Sequence, residues 1–450
     1  MERTLQFVRD TCGGEPHDWN PAATFCRVCT DTRQLQAGDL FLALRGDNFN
    51  GNRFAKKALE NGAVAVVLDE PPAGARPCLV VPDSRRALGQ LGAAHRRLFN
   101  LPLFAIAGSN GKTSTKAMLA SILREQFDTL HSEASFNNDI GVPATLLQLE
   151  PRHQAAVLEV GTNHPGELAP LIEMVAPQFG LLTGIGREHL EHFGDLDGVA
   201  REEGALAELL PAGGKLFING DGDWVPAMVN RCQASVATVG LDAGRDWRVT
   251  DLRVNNDGTN FVVHAPNAAF DGEYHTPLLG AHQAANATLA IAAAAELKID
   301  RAKIARGLAA SPVPKMRLQW SERSGICWLN DAYNANADSV RAALATLASL
   351  QIEGKKYAVL GDMAELGEHA EAAHREAGNE AAGVVDGLIA VGVQAELTAT
   401  AARDAGLAQV TAVADAAVAA EVLREWLQRG DVVLLKASRA ARLEQLEELI

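Results

Sequence analysis

Leu103-Phe104-Ala105-Ile106-Ala107-Gly108-Ser109-Asn110-Gly111-Lys112-Thr113-Ser114 decides the fold of this chain. Five apolar residues predict a buried strand, the glycines predict a tight loop, and a helical pattern runs from Lys112 to about position 126. In a strand, glycine loop and helix of this order, backbone N–H groups approach phosphate oxygens and the helix N-terminus adds its dipole. Lys112 is then placed to reach the terminal phosphates, and the Thr113 hydroxyl to ligate Mg²⁺. The full GxxxxGKS/T spacing needs glycine at position 106, where this chain has Ile106, so the loop is a shortened variant. A plain glycine turn with a solvated Lys112 is the alternative, but the strand-loop-helix context favours ATP.

Outward from this loop the pattern is α/β on both sides. Before it, strands are predicted at 39–44 and 63–68, with helices at 53–60 and 84–99. Asn100-Leu101-Pro102 marks a boundary, because proline disfavours helix before it. After the loop, strands at 155–160, 179–183 and 215–219 alternate with helices, the pattern of a parallel sheet covered on both faces. A second boundary falls at Ser311-Pro312-Val313-Pro314. Strands at 357–360, 387–391 and 431–435 then build a third α/β unit. Three domains are therefore expected, at 1–100, 101–312 and 313–450, which suits 450 residues that are 47% apolar.

The formal charge of −15 repels phosphate polymers and anionic membrane, which argues against nucleic acid as a partner. A small anionic substrate needs only local Lys and Arg clusters, since charges beyond roughly 8 Å are screened. The first ten residues lack the apolar run of a secretory signal, and the greasiest stretch, 284–297, is too short and polar to span a bilayer. No membrane insertion is expected. The six cysteines include one CxxC pair, Cys26 and Cys29, without the second pair that a zinc site needs, and they read as free thiols of a cytoplasmic protein. A monomer is the expectation.

Several further motifs join the loop. They are Asp31-Thr32-Arg33, Gly38-Asp39-Leu40-Phe41, Asn137-Asn138-Asp139-Ile140-Gly141-Val142-Pro143 and Asn163-His164-Pro165-Gly166-Glu167. Beyond these lie Asn330-Asp331-Ala332-Tyr333-Asn334-Ala335-Asn336-Ala337-Asp338-Ser339, Leu360-Gly361-Asp362-Met363-Ala364-Glu365-Leu366-Gly367 and Leu435-Lys436-Ala437-Ser438-Arg439. Over nearly the whole chain the set resembles the Mur ligases of peptidoglycan synthesis. The resemblance implies a small N-terminal α/β domain that binds UDP, a central P-loop ATPase-like domain with a parallel sheet, and a C-terminal Rossmann-like α/β domain. It implies ATP and Mg²⁺ as requirements, and UDP-N-acetylmuramoyl-tripeptide and D-alanyl-D-alanine as the molecules joined through an acyl phosphate.

Residue by residue, the resemblance assigns Thr32 and Arg33 to the nucleotide end of the first substrate, and Asn137 and Asn138 to substrate. Gly108, Ser109, Asn110, Gly111, Lys112, Thr113, Ser114 and Asn286 go to ATP, with Arg317 and Asp331 reaching its γ-phosphate and ribose. Thr113, Glu159 and His189 become metal ligands. Tyr333, Asn334, Asp338, Ser339, Lys436 and Arg439 line the side where the second substrate arrives, and Lys112, His189 and Arg317 carry the chemistry. Phe49-Asn50-Gly51-Asn52 stands where relatives read Phe-Asp-Gly-His, and Gln283 where they often have Asn.

One position departs in a way that bears on mechanism. Relatives carry a CO2-modified lysine whose carbamate serves a second magnesium, and a gapless count from Gly194 and from Asn219 places that position on Glu203. Two readings of Glu203 stay open. It replaces the carbamate as a permanent charge, a catalytic and metal-associated role, or it is a solvated helix residue beside Arg201 and Glu202. A sibling ligase, a folylpolyglutamate synthase and a nucleotide-driven switch are the competing functions.

Overall fold

The computed structural model describes residues 2–46, 49–71 and 74–450. Two compact units emerge: Met1–Ala105 with Phe127–Thr162 and Leu168–Gln178, and Ile106–Gln126 with Asn163–Glu167 and Phe179–Ile450. The strand Leu103–Ala107 thus belongs to the first by its opening three residues and to the second by its last two.

In the first unit a five-stranded sheet runs in the order Glu15–His17, Cys78–Val80, Ala65–Leu68, Leu40–Leu42, Val28–Cys29. All neighbours are parallel except Glu15–His17 against Cys78–Val80. Alternation of side chains along a strand explains its apolar runs. Leu40, Leu42 and Val67 pack on one face with Leu5, Leu88 and Leu91, while Phe41, Val66 and Leu68 pack on the other with Ala55 and Ala58. The helix expected over 53–60 begins as a 3-10 turn, Gly51–Phe54, and becomes α-helical only at Ala55–Glu60. The same unit pairs Thr129–His131 in parallel with Ala155–Glu159.

The second unit sets Phe179–Leu182, Lys215–Asn219, Ser235–Gly240 and Trp247–Asn255 side by side in parallel. Here the sheet departs from the parallel expectation, because Trp247–Asn255, Gly258–His264 and Gly272–Thr276 form an antiparallel meander. Helix Lys112–Arg124 packs against Ala281–Glu296, whose residues from Gln283 to Ala294 are all buried.

A six-stranded sheet completes the unit, in the order Gln319–Arg323, Ile326–Asp331, Val432–Lys436, Lys356–Gly361, Gly387–Val391, Val410–Val413. After the opening hairpin every pair is parallel. Asp331 lies in register with Lys436, which is itself opposite Leu360, so three strands deliver their carboxyl ends to one place, where open α/β sheets hold ligands. Among the described residues, no helix is long and apolar enough to cross a membrane.

Candidate active site

The phosphate loop depends on two glycines with positive φ, Gly108 at 113° and Gly111 at 88°. A Cβ on Gly108 would meet Thr183 Oγ1 at 2.5 Å, and one on Gly111 would meet the Asn286 amide at 2.7 Å. Gly111 caps helix Lys112–Arg124 without a side-chain acceptor, so the first N–H groups of that helix point at the loop. Neighbouring chain fixes the loop's shape. Ser109 N–H donates to Gly184 O at 2.8 Å, Gly186 N–H to Ser109 Oγ at 2.8 Å, and Thr183 Oγ1 to Asn110 O at 2.6 Å. Asn286, buried, donates to Gln283 Oε1 at 3.2 Å, so the residue that departs from the family pattern holds the one that follows it.

Lys112 curls back on its own loop. Its Nζ donates to Gly108 O at 2.5 Å and Ser109 O at 3.3 Å, with Glu188 Oε2 at 3.7 Å. Beneath the loop lies Glu203, 0% exposed, whose Oε2 accepts from Gly108 N–H at 2.7 Å. The solvated reading of Glu203 is therefore wrong: helix Leu196–Glu203 turns Glu203 to the same buried side as Val199, while Glu202 faces outward and accepts from Gly166 N–H. Glu203 Oε1 has no hydrogen-bond partner among the described residues. Burial pushes this carboxyl well above the usual carboxylate range; Lys112 pulls it back, Glu188 raises it further and the Gly108 N–H lowers it.

His189 sits in the left-handed region, φ 48°, and its Nδ1 meets Glu365 Oε2 at 2.5 Å. Glu365 is left-handed too, φ 59°, and its carbonyl accepts from Glu191 N–H at 3.1 Å. Two non-glycine residues in a sparsely populated conformation, bonded to each other, mark a site where geometry is imposed. A carboxylate on Nδ1 orients the ring and leaves Nε2 to face a ligand. In the first unit, Asn137 Nδ2 donates to Glu159 Oε1 at 3.0 Å, whereas Asn138 Oδ1 accepts from Ile140 and Gly141 N–H and shapes the turn before helix Gly141–Leu146. Thr32 is half-buried, and the exposed Arg33 forks onto Asp31. Among the described residues no three His, Cys, Asp or Glu side chains converge closely enough to hold a metal.

At the carboxyl edge of the six-stranded sheet, Lys436 is 2% exposed. Its Nζ lies 2.8 Å from Asp331 Oδ2 and donates to Asn334 O at 2.6 Å. Burial lowers the pKa of this ammonium, with Asp331 opposing the shift. Lys436 thus fixes Asp331 rather than opening toward a substrate. The Arg317 guanidinium stands over the Tyr333 ring, 4.2 Å from its centroid, and its neighbours Met316 and Leu318 are both left-handed, with φ 55° and 49°. Asn336 and Ser339 form a capping box at the start of helix Ala337–Ser349, and Asn336 Nδ2 donates to Asn110 Oδ1 at 3.1 Å, which joins this edge to the phosphate loop. Arg439, exposed, pairs with Glu444.

Asp338 is engaged by Arg187 rather than open. Burial pushes its carboxyl up, but the Arg187 side chain and backbone N–H, with Arg341, more than offset this and hold it below its usual range. The sequence assigns no chemical role to Arg187, Glu188, Glu365 or Glu376, although Glu365 stands inside the motif from Leu360 to Gly367. Arg187 and Glu188 adjoin His189, which was a usable signal, but no spacing rule connects position 187 to 376.

Three family models match the chain: "Mur ligase family, catalytic domain" over residues 25–96, "Mur ligase middle domain" over 106–294 and "Mur ligase, glutamate ligase domain" over 316–439. The chain is 36% identical to the UDP-N-acetylmuramoyl-tripeptide--D-alanyl-D-alanine ligase of Escherichia coli K12, covering 98% of this chain and 97% of that one. It is 33% identical to the ligase of the same name from Bacillus subtilis, covering 93% and 92%. A crystal structure of MurF from Acinetobacter baumannii matches with a TM-score of 0.91 at 31% identity, covering 100% of this chain and 98% of that one. MurF from Thermotoga maritima in complex with ADP matches with a TM-score of 0.82 at 25% identity, covering 94% and 96%. With three family models in order along it and relatives at this identity over nearly its full length, the chain belongs to the Mur ligase family.

Proposed function

We infer that this chain is the ATP-dependent ligase that joins D-alanyl-D-alanine to UDP-N-acetylmuramoyl-tripeptide in peptidoglycan synthesis. The observation that carries the reading is the bond from Asn336 to Asn110, which sets the Asp331–Ser339 edge, with Arg317 and Tyr333, beside a phosphate loop. The Escherichia coli and Bacillus subtilis ligases of that name match nearly the whole chain. The functional segments are taken as 1–100 for the UDP end, 101–312 for ATP and 313–450 for the second substrate.

The terminal carboxylate of the tripeptide attacks the γ-phosphorus of ATP, and ADP leaves. Lys112 trades its loop carbonyls for phosphate oxygens, and Arg317, held over the Tyr333 ring, meets the charge that spreads over the transferring group. The acyl phosphate then accepts the dipeptide amine at its acyl carbon, and phosphate departs from the tetrahedral intermediate. Excluding water protects that acyl phosphate.

The donors present suit a Mg²⁺ carried in by the nucleotide, which takes few protein ligands and keeps several waters. Thr113 and His189, both in the second unit, would hold it, and when bound it would supply positive charge to the phosphates. Glu203 does not suit direct ligation, since it is fully buried and one oxygen already accepts from Gly108. It supplies instead a buried titratable carboxyl under the loop, pushed by burial toward its neutral form and drawn toward its charged form by Lys112. Six free cysteines suit a reducing cytoplasm.

Phosphate release should require both the UDP-linked tripeptide and D-alanyl-D-alanine, assayed with tripeptides that differ at the third residue. If the dipeptide gives no stimulation with any of them, the assignment fails, and phosphate release without any amine would mark a nucleotide-driven switch instead. For Glu203→Gln, which keeps an acceptor for Gly108 N–H but removes the ionisable group, we expect kcat to fall about tenfold, equivalent to about 1.4 kcal/mol of barrier, with the fold intact. Wild-type activity should be unchanged after rigorous bicarbonate removal. Full activity in the variant would show that ionisation of Glu203 is not used.

A further inference from the structure

We propose that Arg187 is a positioning residue that seats the C-terminal sheet layer on the phosphate loop through a charge cluster with Asp338, Glu376 and Arg341. Arg187 ends a turn whose backbone already shapes that loop, through Gly184 O to Ser109 N–H and Gly186 N–H to Ser109 Oγ, each 2.8 Å. A shift of this turn shifts Ser109. From the same turn the Arg187 fork reaches two helices. Nε and Nη2 donate to Asp338 Oδ1 at 3.0 and 2.7 Å, in the first turn of helix Ala337–Ser349. Nη1 and Nη2 donate to Glu376 at 2.7 and 3.1 Å, on helix Ala370–Ala382. The Arg187 backbone N–H adds a bond to Asp338 Oδ2 at 2.7 Å.

Asp338 therefore spends both oxygens on one residue. Arg341 extends the cluster, with Nε on Glu380 at 2.7 Å, an ion pair to Glu376, and Asp338 at 3.7 Å. The side chains of Arg187, Asp338 and Glu376 retain 27%, 30% and 30% of their exposure, enough shielding to strengthen the charges without the desolvation cost of a fully buried pair. Five donors in a planar fork suit arginine here; a lysine ammonium cannot hold two carboxylates on two helices in fixed directions.

The consequence lies in what the seated segment carries. Between Asp331 and Ser339 stand the residue paired with Lys436, the Tyr333 ring under Arg317, and Asn336 bonded to Asn110. Arg187 touches none of the reacting atoms, yet it sets the distance between the loop that holds the phosphates and the arginine that meets the γ-phosphate. Its role rests on the ligase reading given above, so the test pairs an activity measurement with one that is blind to substrate identity.

Compare wild type, Arg187→Met, Arg187→Lys and Glu376→Gln, full length, by steady-state kinetics across an ionic-strength series and by amide hydrogen exchange without ligands. Arg187→Met should lower kcat about tenfold or more, within the loss that misplacement away from the chemistry produces, and should leave KM for the UDP-linked substrate nearly unchanged. Wild-type kcat should fall with salt while that of the variant stays flat, and Arg187→Lys should restore only part of the loss. Exchange should quicken in residues 108–113 and 331–340 and nowhere else. Wild-type exchange and kcat in Arg187→Met overturn the proposal. Glu376→Gln keeps the Asp338 bonds and so covers the case in which Arg187→Met does not fold; it should show the same changes in weaker form, and unaltered exchange and salt response would equally overturn the proposal. Faster exchange without any ligase activity in wild type would leave the seating intact and refute the ligase reading alone.

Discussion

Lys112→Ala should lower kcat for dipeptide-dependent phosphate release about 10³-fold, the upper end of what removing one preorganised charge from a transition state costs. The reason begins in the loop itself, where Lys112 Nζ lies against Gly108 O and Ser109 O with Glu188 at 3.7 Å. Its charge is already directed into the loop and needs only to exchange carbonyl oxygens for phosphate oxygens. Alanine removes that charge and also leaves Glu188 and Glu203, both buried, without the cation that faces them. Binding of ATP should weaken in parallel, measurable by calorimetry. A variant that keeps kcat within threefold of wild type, a margin of about 0.7 kcal/mol, would remove Lys112 from the mechanism.

Lys436→Met should be the most destabilising single change at the carboxyl edge of the C-terminal sheet. It strands Asp331, itself buried, whose Oδ2 lies 2.8 Å from the lysine and whose Oδ1 accepts from Leu318 N–H at 3.1 Å. Breaking a buried pair from one side costs about 3–5 kcal/mol, because the remaining charge has lost its partner. A drop of roughly 10 °C in thermal unfolding follows at the usual scaling of a few degrees per kcal/mol for a large domain. Lys436→Met combined with Asp331→Asn should recover part of the loss, because asparagine still accepts from Leu318 without carrying a charge. No recovery would mean that the single variant fails through packing rather than through the unpaired carboxylate.

Much of this site was legible because it is local. A strand, two glycines and a lysine at the head of a helix need no distant residue, and they fold as read. The parallel strands read from apolar runs are also present, since a strand buried on both faces leaves a continuous hydrophobic signature. The meander from Trp247 to Thr276 escaped because it alternates: Val249 and Val263 are buried while Arg248 and His264 are exposed, which leaves no run, although Asn255-Asn256-Asp257-Gly258 was a turn signal. Glu203 was half legible. Val199, Glu203 and Leu206 lie at i, i+4 and i+7, a buried stripe, but a carboxylate in such a stripe reads as solvent-facing until its partner, Gly108 N–H, is known. Arg187 with Glu376, and His189 with Glu365, join residues far apart in the chain, and only the fold brings them together.

The helix Ala281–Glu296 carries one more consequence. Of the twelve buried residues from Gln283 to Ala294, seven are alanine. Burying an alanine surrenders no rotamer freedom, whereas longer side chains each give up around 1 kcal/mol or more of entropy when fixed. The support that holds Asn286 against Gly111 is thus assembled with almost no side-chain entropy to lose, and once assembled it has few torsions through which to loosen. Stillness on that side of the nucleotide site comes from composition, while on the opposite side it comes from charge.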